Sequence, residues 1–130
     1  MNLNTSKSRR QMRYTDWVAL EDVVDAPVDS GLFQVKVRDC LLSYPSGKSA
    51  MYYYGFAANL KEDVQRFKDE FVPILQADAM PLMVRWMAVA DVQQRFRKHL
   101  NFFHENFGSL PAGNELWLQR IDSAVKNPTG

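Results

Sequence analysis

The chain has 130 residues, sixteen Lys and Arg against fifteen Asp and Glu, a net charge of +1, and 46% hydrophobic and 12% aromatic residues. That length holds one domain with a real core, the composition excludes a chain disordered throughout, and the even charge balance gives no general attraction to nucleic acid. Cys40 is the single cysteine, which excludes an intramolecular disulfide and a thiolate cluster for zinc or iron–sulfur.

Charge is unevenly placed along the first third. Lys7, Arg9, Arg10 and Arg13 come before any acid, whereas Asp16, Glu21, Asp22, Asp25 and Asp29 follow with no base before Lys36. Residues 1–16 therefore read as a basic, disordered arm, residues 17–126 as a single domain and residues 127–130 as a frayed tail. The N-terminal charges are not followed by an apolar leader core, and no run approaches the roughly 20 apolar residues of a bilayer span. A cytoplasmic protein without membrane partners is expected. Trp17, Val18 and Leu20 read as a helical or extended lead-in packed on a sheet edge, broken at Ala26-Pro27.

The stretch Gly31 to Leu60 organises the domain. Phe33, Val35 and Val37 alternate with Gln34, Lys36 and Arg38, the period of a strand over 32–38 with one buried face. Residues 51–56 give a second, aromatic strand. Tyr44-Pro45-Ser46-Gly47-Lys48 supplies a turn between them, so the two pair as an antiparallel hairpin. Asn59 and Glu62 have the spacing of a helix N-cap and its capping-box partner. Leu60, Val64, Phe67, Phe71 and Leu75 then form an amphipathic stripe, with a kink or break expected before Pro73. Residues 82–89, apolar on both faces, read as a third and central strand. Asp91 and Gln94 again have capping-box spacing; Val92, Phe96, Leu100, Phe103 and Phe107 mark a second buried helix face, and Gly108 stands as its C-cap. A last helix is expected over 114–126. The fold class is α/β (α+β): a small three-stranded sheet that begins with a β-hairpin and is flanked by helices.

Tyr52, Tyr53 and Tyr54 should alternate across their strand, so that packing explains two of them and a site role remains for Tyr53. His99 and His104 are five apart, off a common helix face, so a shared metal site is not expected. Arg66, Arg85, Arg95, Arg97, Lys98 and His99 are candidates for a basic patch that would attract phosphates through charge; the alternative is pairing with Glu62, Asp63, Asp69 and Glu70.

Gly31-Leu32-Phe33 followed by Tyr53-Tyr54-Gly55 resembles the paired tripeptides of the GIY-YIG endonuclease superfamily. Asn59-Leu60 is similar to the opening of that family's first helix, and Arg85-Trp86 and the run from Phe107 to Asn114 are similar to later parts of its pattern. The resemblance spans roughly residues 17–118 and implies a three-stranded sheet with helices in this order. It also implies phosphodiester hydrolysis with two tyrosines, an arginine on the first helix and a glutamate that holds a divalent metal on the helix after the third strand. Metal and arginine would offset charge developing on phosphorus. Carried over by position, the first tyrosine falls on Phe33, the second on Tyr53, the arginine on Asp63 with Arg66 one turn later, and the terminal asparagine on Asn114. No carboxylate occurs over 92–100; Asp91 and Glu105 are the nearest acids.

Three functions follow as expectations: a nuclease-fold domain without metal-dependent cleavage that binds nucleic acid; a protein-interaction or regulatory module on the same scaffold; and an active nuclease using Tyr53, Arg66 and Glu105. The first two need no cofactor and no metal, and the third needs Mg2+. Nucleic-acid contacts would fall to Arg66, Arg85, Arg95, Arg97, Lys98, His99 and Asn114.

Overall fold

Gly31–Val37 (β2) is buried along nearly its whole length, because both of its faces are covered. In the computed structural model, which describes residues 13–23, 26–76 (backbone alone over 72–76) and 81–116, β2 is the middle of a mixed α+β fold with an antiparallel sheet. Val18–Ala19 (β1), Leu82–Ala88 (β6), β2 and Met51–Ala57 (β5) lie side by side in that order. Leu42–Tyr44 (β3) and Gly47–Ser49 (β4) make a separate two-stranded hairpin. The helices are Leu60–Gln76 (α1) and Val92–Phe107 (α2), with a further helical turn over residues 112–116.

Cross-strand neighbours share a face, so the register sorts the sheet into two layers. Phe33, Tyr53 and Trp86 lie toward α1, where Phe33 meets Phe67 edge-on and Tyr53 packs tilted on Phe67 and Phe71. Gln34, Tyr54 and Arg85 lie toward α2, where Tyr54 meets His99 and Phe103. The core contains Phe33, Val35, Val37, Leu60, Val64, Phe67, Phe71 and Val84, as the periodicity requires. Phe103 is buried against the other face, while Trp86, Phe96 and Leu100 are only partly buried.

Several expectations are corrected. Among the described residues the sheet has four strands, not three, because the lead-in contributes β1, whose Val18 pairs with Val84 and whose Ala19 pairs with Met83. β6 is an inner strand, as its two apolar faces require, although its outer neighbour β1 has only two residues; β2 is the other inner strand. The β2 and β5 strands do pair antiparallel, but not through a direct turn. The turn around Pro45 closes the β3–β4 hairpin, which docks on α2 through Tyr44 against Phe103 and the Ser46 N–H donating to the Phe107 carbonyl. Tyr53 and Tyr54 alternate across the strand as expected, but Tyr52 does not. Tyr52 is the extra residue of a bulge opposite Val35 and Lys36, and both Tyr52 and Tyr53 reach Phe71 on the α1 side.

At the helix ends, the Glu62 N–H donates to Asn59 Oδ1 as the cap pattern requires. Asp91 makes no cap bond; its carboxylate accepts from Arg95 Nε at 2.9 Å instead. Gly108 does end α2, with φ of 80° in the left-handed region that a side chain disfavours. Pro73 does not stop α1, which runs unbroken to Gln76. The bond lost is to the carbonyl of Asp69, an exposed residue, where water can take its place. Of the arm expected over 1–16, residues 1–12 lie outside the described residues, whereas the Thr15 N–H donates to the Trp86 carbonyl at 2.9 Å; of the helix expected over 114–126, residues 117–126 lie outside them.

Candidate functional site

Because β5 is the outer strand, its edge runs between the two helices, and a cavity of about 490 Å³ opens there. Phe33, Tyr53, Phe67 and Phe71 form its inner wall; Phe56, Phe96 and Leu100 face them from β5 and α2. Asp63, Arg66 and Glu70 stand along α1 at spacings of three and four, so one helix face brings them to the rim. Asn114, from the helical turn beyond Gly108, lies at the other end with Leu110. The five positions singled out through the resemblance, Phe33, Tyr53, Asp63, Arg66 and Asn114, therefore all line one cavity.

Their chemistry is specific. Phe33 presents no hydroxyl, and its ring lies against Gly55, where an added Cβ would overlap it. Arg66 Nη1 pairs with Asp63 Oδ1 at 2.8 Å, so the rim cation is engaged by the carboxylate one turn before it. Glu70 has no ion pair among the described residues. Burial, then the charges of Glu70 and Asp63, push the Tyr53 hydroxyl up to about 12, so it holds its proton at neutral pH and is no general base there. Asn114 is buried and serves the backbone: the Tyr54 N–H donates to its Oδ1 and its Nδ2 donates to the Tyr54 carbonyl, both at 2.9 Å. It occupies the place of a further strand at that point of the β5 edge.

The other candidates are dispersed. Glu105 is exposed on α2 and does not line the cavity. Arg85 is on the sheet face toward α2, where its Nε donates to Gln34 Oε1 at 2.9 Å and its guanidinium stacks 4.5 Å from the ring centres of both Tyr14 and Trp17. His99 stacks on Tyr54 and lies near Tyr14; burial, then Arg95 and Arg85, hold its pKa below the ordinary value, which keeps it neutral. Arg95 is held by Asp91. Of these candidates, Arg97 and Lys98 stand exposed without an ion pair among the described residues, beside Gln93, Gln94 and Asn101. The basic residues thus form no single patch.

The resemblance implies a divalent metal held by one glutamate on α2, with other oxygen donors completing its coordination. The α2 side chains at the cavity are Phe96 and Leu100, and no group of three His, Cys, Asp or Glu comes together among the described residues. The glutamate of that arrangement is thus absent from the α2 side of the cavity, where the carboxylates present, Asp63 and Glu70, come from α1. Sequence reasoning left Glu70 only as a possible ion-pair partner and gave Phe56 no site role, although Glu70 falls one turn after Arg66 on the same helix face. Nothing in the sequence signals the Asn114–Tyr54 backbone pairing, which depends on two segments sixty residues apart.

Comparison of the chain with protein-family models, with curated proteins and with solved structures finds no match. No helix among the described residues is long and apolar enough to cross a membrane.

Proposed function

We propose that this domain is a GIY-YIG-like nuclease scaffold that does not cleave phosphodiesters and works by binding a protein partner through the cavity at the β5 edge. The order and pairing of strands and helices support the scaffold, and so does the meeting of Phe33, Tyr53, Asp63, Arg66 and Asn114 at one cavity. The observation that carries the loss of cleavage is the cavity's own lining. It has phenylalanine where a hydroxyl is needed, a closed Asp63–Arg66 pair in place of a phosphate-binding arginine, and Phe96 and Leu100 where a metal carboxylate is needed.

A protein partner is favoured over nucleic acid because the rim carries two carboxylates against one arginine that is already paired, and its net negative charge repels a phosphate chain. One observation favours nucleic acid as a second reading: Arg97 and Lys98 are exposed on α2 without an ion pair among the described residues. The test is incubation of the purified protein with plasmid DNA in magnesium or manganese, followed by titration with duplex, branched and single-stranded nucleic acid from low to physiological salt. No nicking and no salt-dependent affinity are expected. Metal-dependent nicking that disappears in Glu105→Gln would reinstate the nuclease, and affinity that falls steeply with salt would reinstate the nucleic-acid reading.

A further inference from the structure

The geometry points to the occupant of the cavity: a cationic side chain of the partner protein, carried on an extended segment that adds to the β5 edge at Phe56. This rests on the protein-partner reading above. Two observations, independent of each other, lead to it.

The first is the lining. A volume of about 490 Å³ lies within the roughly 300–1,000 Å³ of ligand pockets. Its walls are aromatic, with Tyr53 packed 4.7 Å from Phe67 on one side and Phe56 packed 4.6 Å from Phe96 on the other. Aromatic faces attract organic cations through their quadrupole, and Asp63 and Glu70 supply negative charge at the mouth. Their field is felt inside, since both carboxylates oppose ionisation of the Tyr53 hydroxyl. Arg66 answers only Asp63, at 2.8 Å, so Glu70 remains to pair with an arriving cation.

The second is the open strand edge. The N–H and C=O of Tyr54 both bond to Asn114, so they point away from β2. Strand alternation then turns the N–H and C=O of Phe56, two residues on, to the same side. Outside the β2–β5 ladder they make no backbone hydrogen bond to a described residue, and Phe56 itself lines the cavity with 42% of its surface exposed. An extended peptide can satisfy both groups and continue the sheet beyond the point where Asn114 ends its substitution. Main-chain bonds would fix the register, and the residue opposite the cavity would send its side chain between Phe56 and the α1 rim.

The test is nuclear magnetic resonance of the full chain, with a short blocked peptide of β-branched residues bearing one central trimethyllysine as probe. Norleucine in the same position gives a control of like shape without charge. Saturable shifts are expected at Phe56, Tyr53, Asp63 and Glu70 with the trimethyllysine peptide, together with slowed exchange of the Phe56 amide. The norleucine peptide, and the trimethyllysine peptide on Glu70→Gln, should bind about fivefold or more weakly. Glu70 is exposed, so that variant keeps the fold. Equal binding of the two peptides, equal binding by Glu70→Gln, or no saturable shift at these residues would overturn the cation assignment. Duplex DNA added to the same sample separates the two levels. Shifts at Arg97 and Lys98 without any peptide binding would overturn the protein-partner reading as well, whereas no response to either would overturn the cation assignment alone.

Discussion

Removing the Asn114 amide should cost this protein more than any other single polar substitution near the cavity. In Asn114→Ala two hydrogen bonds of 2.9 Å disappear, and the Tyr54 N–H and C=O lose their partners at a part-buried site. Each net bond contributes about 0.5–1.5 kcal/mol, and a group left unsatisfied in the interior costs about 1–3 kcal/mol; partial access of water to the vacated space brings the sum to roughly 2–4 kcal/mol. For 130 residues the unfolding entropy is about 0.27 kcal/mol/K, so each kcal/mol lowers Tm by about 4 °C and the variant should melt roughly 7–15 °C below the parent. Thermal unfolding followed by circular dichroism gives the shift. Hydrogen exchange at the Tyr54 amide gives the local cause, since its protection should fall well before the rest of β5 opens. A Tm drop under about 4 °C, or unchanged Tyr54 protection, would refute the view that this side chain stands in for a strand.

Further outcomes can be stated for the cavity and for α2. Gly55→Ala puts a Cβ into the Phe33 ring, and overpacking at that buried contact should destabilise by about 1–3 kcal/mol, measured by urea unfolding at unchanged m. Asp63→Arg removes a surface pair worth only about 0.2–0.5 kcal/mol, so the fold should persist while binding of the trimethyllysine peptide is lost; retained binding would place the cation elsewhere. Tyr53, pushed up to about 12 by burial, Glu70 and Asp63, should ionise later than an ordinary tyrosine in an alkaline titration followed by tyrosinate absorbance. Its folded pKa lies above the unfolded 10.0, so the native state holds the proton longer; its contribution is full below pH 10 and is lost as pH rises toward 12. Neutralising Arg97 and Lys98 together should leave Tm nearly unchanged, and any nucleic-acid affinity that does exist should lose about 2 units of salt slope on duplex.

How far the site could be read in advance differs from residue to residue. Phe33, Tyr53, Asp63 and Arg66 were picked out by position in a pattern, and the sheet and α1 do bring them to one cavity. Arg66 and Asp63 share a helix turn, so their pairing follows from spacing alone. The basic patch was different in kind. Arg66, Arg85, Arg95 and Arg97 sit on separate elements or helix faces, and no count of charges along the chain tells which of them a tyrosine, a tryptophan or a carboxylate already holds.

Features that depend on neighbours a few residues apart are legible in the chain. The strand at 31–37, the stripe of α1, the Asn59 cap and the left-handed Gly108 all follow from periodicities and local backbone chemistry that operate before any tertiary contact forms. Tertiary structure alone decided the rest. It added β1 to the sheet because Val18 and Ala19 lie beside β6; it put the bulge at Tyr52, turning two successive tyrosines toward α1; and it spent Asn114 on the Tyr54 backbone. Each of these replaces a local preference worth about a kcal/mol with a distant partner that satisfies a buried or edge group, and which partner arrives is fixed only when the sheet and helices are packed.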